Sequence, residues 1–144
     1  MKNFRLSKGF TLVELLIVII IIAVLAAIAI PKFANSSLRS KESALRSNLR
    51  LTRDAIDLFK ADTGTYPAVA SDLAVTTAPA TGLDSVGTSK PITPTDWRGP
   101  YLAALPTDPT NLGALNYVIT GATTGKLSAN NTGTASDGTL YSTW

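Results

Sequence analysis

An α+β fold is what this sequence predicts: one long N-terminal helix, its second half packed against a small antiparallel sheet. Three observations lead there. No glycine lies between Gly9 and Gly64, and Pro31 is the only proline in that interval. Leu38, Leu45, Leu49, Thr52, Ile56 and Phe59 recur at helical spacing along its second half, a stripe that requires cover. From residue 65 onward the chain holds eight of its ten glycines and seven of its eight prolines, a composition of turns and short strands.

The elements follow in order. Residues 1–9 form a short basic leader. Residues 10–30 are an apolar helix of roughly 31 Å at about 1.5 Å per residue, long enough to cross a bilayer core. Leu15 to Ile30 is apolar without a break. Pro31 lacks an N–H and crowds the carbonyl of Ala27, so a kink is expected there. Residues 31–63 are an amphipathic continuation, stopped by Gly64 and barred from resuming by Pro67.

Residues 64–144 read as a loop-rich globular domain. Tyr117–Thr120 is strand-like and leads into a glycine turn, with Lys126–Ala129 as a return strand. Thr139–Trp144 alternates and is expected to supply a third strand. Residues 76–89, rich in Thr, Ala, Gly and Ser, read as a surface loop. Trp97, Tyr101 and Leu105 are read as anchors that hold their loop onto the sheet and helix.

Composition bounds the chemistry. The 144 residues suit one domain with an appendage, and residues 10–30 supply much of the 45% hydrophobic content, leaving a small soluble core. With no cysteine and no histidine, disulfides, thiolate catalysis and His-based metal or acid–base work are excluded. The acids outside the helix are scattered singly, so no nucleophile–base constellation is visible and no enzyme is expected.

The net charge of +3 comes from the leader, where Lys2, Arg5 and Lys8 precede the apolar run. Positive residues in that position hold the N-terminal end in the cytoplasm. The remaining ten basic and ten acidic residues balance, so the basic excess is not a nucleic-acid footprint.

Glu14 is the anomaly. A carboxylate within a membrane helix costs about 2.5–3.5 kcal/mol on insertion scales, so it persists where a partner needs it. Residues 1–30 admit three readings: a removable signal cut near Ala27-Ile28-Ala29, a plain anchor, or a segment cut after Gly9 that keeps its helix. The third gives Glu14 a role, because a new amine at Phe10 then lies one helical turn away. It can neutralise its own carboxylate or that of a neighbouring copy.

Gly9-Phe10-Thr11-Leu12-Val13-Glu14, the apolar run and Pro31 resemble the N-terminus of type IV pilins and of the pseudopilins of type II secretion. Asp62-Thr63-Gly64-Thr65-Tyr66-Pro67 and Asp96-Trp97-Arg98-Gly99-Pro100-Tyr101-Leu102, followed by Leu105-Pro106-Thr107-Asp108-Pro109, are similar to segments of the major pseudopilin. The resemblance implies a pilin fold and processing by a prepilin peptidase, with cleavage between Gly9 and Phe10 and N-methylation of Phe10. It implies assembly through Phe10, Glu14 and Pro31 into a homo-oligomeric helical filament, driven by an inner-membrane platform with a cytoplasmic ATPase. The expected location is the inner membrane before assembly, then an extracellular pilus or a periplasmic pseudopilus.

Two further expectations concern the rest of the chain. Between Lys32 and Arg53 there are six basic residues and one acid, whereas Asp54 to the end holds four basic residues and eight acids. Arg39, Arg46, Arg50 and Arg53 flank the apolar stripe, as a solvated face, as inter-subunit charge partners or as a DNA contact, and neither tryptophan lies in this stretch to support the last. No cofactor is expected. The major pseudopilin carries calcium in its C-terminal loop, but Asn130–Gly138 offers a single acid, Asp137, where calcium favours several carboxylate and carbonyl oxygens. That poor loop tilts the expectation toward a pilus subunit, with the major pseudopilin as the alternative.

Overall fold

A computed structural model describes residues 9–144. The leader lies outside the described residues except for Gly9. One α-helix, α1, runs over Leu12–Thr63 with Pro31 inside it. The chain divides into two compact units, Met1–Ser37 and Leu38–Trp144.

In the first unit the helix presents its apolar side chains outward. Leu12 is 85% exposed, Ile21 53% and Phe33 74%; even Val18 is 45% exposed. This segment is long and apolar enough to cross a membrane.

The second unit is a self-contained α+β body, as expected. Leu45, Leu49, Thr52, Ile56 and Phe59 of the helical stripe are all buried, while Leu38 remains partly exposed. They pack with Leu73, Ile92, Leu102, Leu115, Leu127 and Tyr141 into one core. The helix stops as predicted. Gly64 adopts a positive φ of 72° and its N–H donates to the Lys60 carbonyl at 2.8 Å, a geometry that favours glycine.

Two small antiparallel sheets lie against it. Strands β1 (Tyr66–Pro67), β2 (Thr81–Leu83) and β3 (Ser89–Pro91) pair in the order β1-β2-β3. Strands β4 (Asn116–Tyr117) and β5 (Leu127–Ser128) pair with Tyr117 opposite Leu127. The predicted hairpin around residues 117–129 is therefore present, in shorter form.

Two expectations need correction. Within the stretch read as a surface loop, 76–89, Thr81–Leu83 forms the central strand of the larger sheet and Ser89 begins its hairpin partner. Asp84 holds that turn, accepting from the N–H groups of Val86 and Thr88 at 3.0 and 2.8 Å. Gly82 permits it, because a Cβ there would lie 2.2 Å from Thr65 Oγ1. The second correction concerns the predicted third strand, Thr139–Trp144. Leu140 makes one isolated bridge to Thr134, and Tyr141–Thr143 then turns as a 3₁₀ helix. Tyr141 needs that turn to bring its ring, only 3% exposed, into the core.

Trp97, Tyr101 and Leu105 pack against the core, as read from the sequence. The Tyr101 ring stands 5.4 Å from that of Phe59 and its hydroxyl donates to Asp62 Oδ2 at 2.9 Å. Burial pushes the Tyr101 phenol above its ordinary value.

Candidate functional site

Of the expected processing and assembly residues, Gly9, Phe10 and Glu14 gather at the start of α1, whereas Pro31 lies well inside it. Gly9 and Phe10 precede the helix and are exposed, Phe10 by 76%. Thr11 and Glu14 form a reciprocal cap. Thr11 N–H and Thr11 Oγ1 donate to Glu14 Oε2 at 2.8 and 2.9 Å, and Glu14 N–H donates to Thr11 Oγ1 at 3.2 Å. Helix starts leave four N–H groups without partners, and this arrangement satisfies two of them. The acid also lies where the helix dipole favours negative charge. Glu14 therefore has a local partner before any other subunit arrives.

Thr11 was not among the expected site residues. Its signal was present: Thr-x-x-Glu directly before an apolar run spells a capping box.

Further along, the four arginines separate into two kinds. Arg46 Nη2 meets Asp137 Oδ2 at 2.5 Å, and its guanidinium lies 4.0 Å from the centroid of the Trp144 ring. Arg53 donates to the Leu127 carbonyl at 2.7 and 3.1 Å and also to the carbonyl of Trp144. Both tie the C-terminal segment to the helix. Arg39 and Arg50 are exposed and have neither hydrogen bond nor ion pair among the described residues.

Glu42 completes the tie. It is 6% exposed and accepts from Ser136 N–H at 2.7 Å, from the Ser136 hydroxyl, and from the Tyr141 hydroxyl at 2.8 Å. The Ser136 hydroxyl holds its carboxyl below the ordinary range, against the opposing effect of burial. Burial and the neighbouring Glu42 push the Tyr141 phenol up to about 12. Asp137 is held down to about 2, first by the Thr139 hydroxyl and N–H and then by Arg46.

Glu42 was also missed as a contact residue, although spacing marks it. Leu38, Glu42, Leu45, Leu49, Thr52, Ile56 and Phe59 repeat at 4, 3, 4, 3, 4 and 3, so Glu42 fills the gap in the apolar stripe. A carboxylate at a core position asks for donors, and the C-terminal loop supplies them.

For the calcium expectation, Asp137 Oδ1 accepts from Thr139 at 3.0 and 2.6 Å while Oδ2 faces Arg46. Among the described residues no group of three or more Asp, Glu, His or Cys side chains is placed to hold a metal ion.

Comparison with known proteins divides the chain near Pro31. Residues 4–30 match the prokaryotic N-terminal methylation motif. Residues 32–139 match the family described as type II secretion system (T2SS), protein G. The chain belongs to that family. Among relatives, the type II secretion system core protein G of Klebsiella pneumoniae is 30% identical over 104 residues, 72% of this chain and 69% of that protein. Its counterpart in Pseudomonas aeruginosa is 28% identical over 106 residues, 73% of this chain and 69% of that protein. The type IV major pilin protein PilA of Myxococcus xanthus is 42% identical over 67 residues, but these are 46% of this chain and 30% of that protein. No solved structure matches the chain. Both halves of the protein G family member thus have relatives, and pilins share a shorter, more similar part.

Proposed function

We propose that this chain is a structural subunit of a type IV pilus filament, drawn from the inner membrane through residues 10–30 after cleavage between Gly9 and Phe10. One observation carries the reading: a continuous run of large apolar side chains stands fully outward on a chain whose other unit has closed its own core. Such a surface needs lipid first and copies of itself afterwards. The methylation motif over residues 4–30 supports processing by a prepilin peptidase and methylation of Phe10. In the assembled state the Phe10 amine of one copy meets Glu14 of another, and every other axial offset strands a charge. Prior capping by Thr11 orients Glu14 while it waits.

The major-pseudopilin reading has equal support, because the protein G family covers residues 32–139. The two differ in where the filament ends, outside the cell or in the periplasm. The family is structural, and catalysis has no role in either reading.

Mass spectrometry of native protein tests the shared claim. A mature chain beginning at methylated Phe10 is expected; a start near Ile30 overturns it. Glu14→Ala is expected to insert in membranes normally yet form no fibres, and normal fibres would refute the register role. Deleting the gene then separates the two filaments, since loss of surface fibres indicates a pilus and loss of protein export a pseudopilus.

A further inference from the structure

An open filament of one kind of chain needs two different patches on the same body, each fitting the other on the next copy. The second unit, Leu38–Trp144, carries one of each kind. Leu112 is the first. It is 82% exposed and has a φ of 61°, the one positive value outside glycine among the described residues. Leucine is costly in that conformation and costly in water, and glycine avoids both penalties. The loop that imposes them is held firmly. Leu112 N–H donates to the Asp108 carbonyl at 2.7 Å, and Asp108 N–H to the Gly113 carbonyl at 2.8 Å. The Asn111 side chain donates to the Asn130 carbonyl at 3.1 Å, and that of Asn48 on α1 to the Thr107 carbonyl at 3.0 Å. Strain kept in place by its surroundings points to a use, and this side chain can be used only outward.

The second patch lies on α1. Leu51 and Leu58 are 55% and 58% exposed. At about 100° per residue they stand about 20° apart, on the side of the helix turned away from the Leu45–Phe59 stripe. With Asp54 and Ala55 they occupy positions i, i+3, i+4 and i+7, the four corners of a hole that accepts a knob. Buried Ala55 is small and gives the hole a floor between two leucine walls.

Charge matches as well. Lys41 precedes Asn48 by seven residues and shares its helix face, the side on which the Leu112 loop is tied down. Lys41 and Asp54 are both exposed and have no hydrogen bond or ion pair among the described residues. An apolar knob on the side of a free cation thus complements an apolar hole beside a free acid.

We propose that Leu112 of one copy seats between Leu51 and Leu58 of a second copy, linking the second units in a row. The inference rests on the filament reading and names a contact that reading leaves open.

The chain has no cysteine, so an introduced pair reports directly. Whole cells producing full-length chain with both Leu112→Cys and Asp54→Cys are oxidised with copper phenanthroline, and the chain is resolved without reductant. A ladder of dimers and longer multimers is expected, with none in either single variant and none in cells lacking the assembly machinery. Dimers in a single variant mean that like faces meet, and a ladder without the machinery means contact outside the filament; either overturns the seat. Leu112→Gly separates an outward role from a structural one. Glycine adopts the same backbone conformation freely, so the urea midpoint of the second unit is expected to hold or rise. Fibre yield is expected to fall about tenfold, the loss for one buried leucine. Normal fibres, or a lowered midpoint, assign Leu112 to its own fold and overturn the contact. No ladder in cells whose wild-type chain forms fibres removes the contact alone. A wild-type chain that forms no filament refutes the filament reading and the contact together.

Discussion

Ile21 and Phe59 lie on the same helix and are both large and apolar, yet Ile21 is 53% exposed and Phe59 is fully buried. The two units of the chain differ in the same way. Leu38–Trp144 closes a core from one stripe of the helix, two short sheets and a set of loops. In the first unit, the described part of the helix keeps its large apolar side chains outward. At about 25 cal/mol per Å² of apolar surface, the second unit has realised its burial within one chain, while the first has deferred it. One is a folded body; the other is an unfinished interface.

The sharpest way to break that contrast is to truncate one side chain in each unit. Phe59→Ala empties part of a closed core and is expected to destabilise the second unit by about 3–5 kcal/mol. Urea unfolding followed by near-ultraviolet circular dichroism in detergent reads the loss. Ile21→Ala is expected to leave that transition within about 0.5 kcal/mol of wild type, as for exposed positions generally, while weakening fibre formation. Equal shifts in the two variants would show that the units do not stabilise independently.

This contrast was largely legible in the sequence, because helical periodicity survives any tertiary context. The stripe from Leu45 to Phe59, the stop at Gly64 and the outward run from Phe10 all follow from spacing and composition. What escaped was set by contacts distant in sequence. Thr81–Leu83 has no alternating apolar pattern, and it becomes a strand because Gly82 lets the backbone approach Thr65. Tyr141 sits in a segment that alternates like a strand, yet burial of its ring and its bond to Glu42 favour a turn. The arginines were read as one class from their shared flank of the stripe. Arg46 and Arg53 differ from Arg39 and Arg50 only because the C-terminal segment folds back over them.

That fold-back is the next place to test, and it should yield a smaller effect than a lost core ring. Glu42→Gln keeps the shape but removes the charge that gathers Ser136 and Tyr141. Amide exchange is expected to speed up across Ser136–Trp144 and stay unchanged along Leu45–Phe59. The same tie is acid-sensitive in wild type. Glu42 is held below its ordinary 4.5 and Asp137 is lowered from 3.8 to about 2. Carboxyls whose folded values are depressed add stability that is present in full above the ordinary values and lost as pH falls. Protection of the C-terminal segment should therefore decline from about pH 4.5 downward and go on falling as pH passes through about 2, with the decline blunted in Glu42→Gln. Acid-independent protection would mean that packing of Tyr141 and Trp144 holds the segment alone.

The smallest expected effect belongs to the first unit and separates two roles of one acid. Glu14 caps its own helix through Thr11, and in the filament it is expected to meet an amine from another copy. Thr11→Ala removes the cap at a cost of about 1 kcal/mol, confined to the first turn. Exchange at Glu14 and Leu15 should quicken, Thr11→Ser should restore it, and the unfolding of residues 38–144 should not move. Fibres should still form from Thr11→Ala, since the carboxylate remains available to the incoming amine. If Thr11→Ala abolishes fibres as completely as Glu14→Ala, the acid acts by ordering its own helix start, and the pairing between copies is not what sets the register.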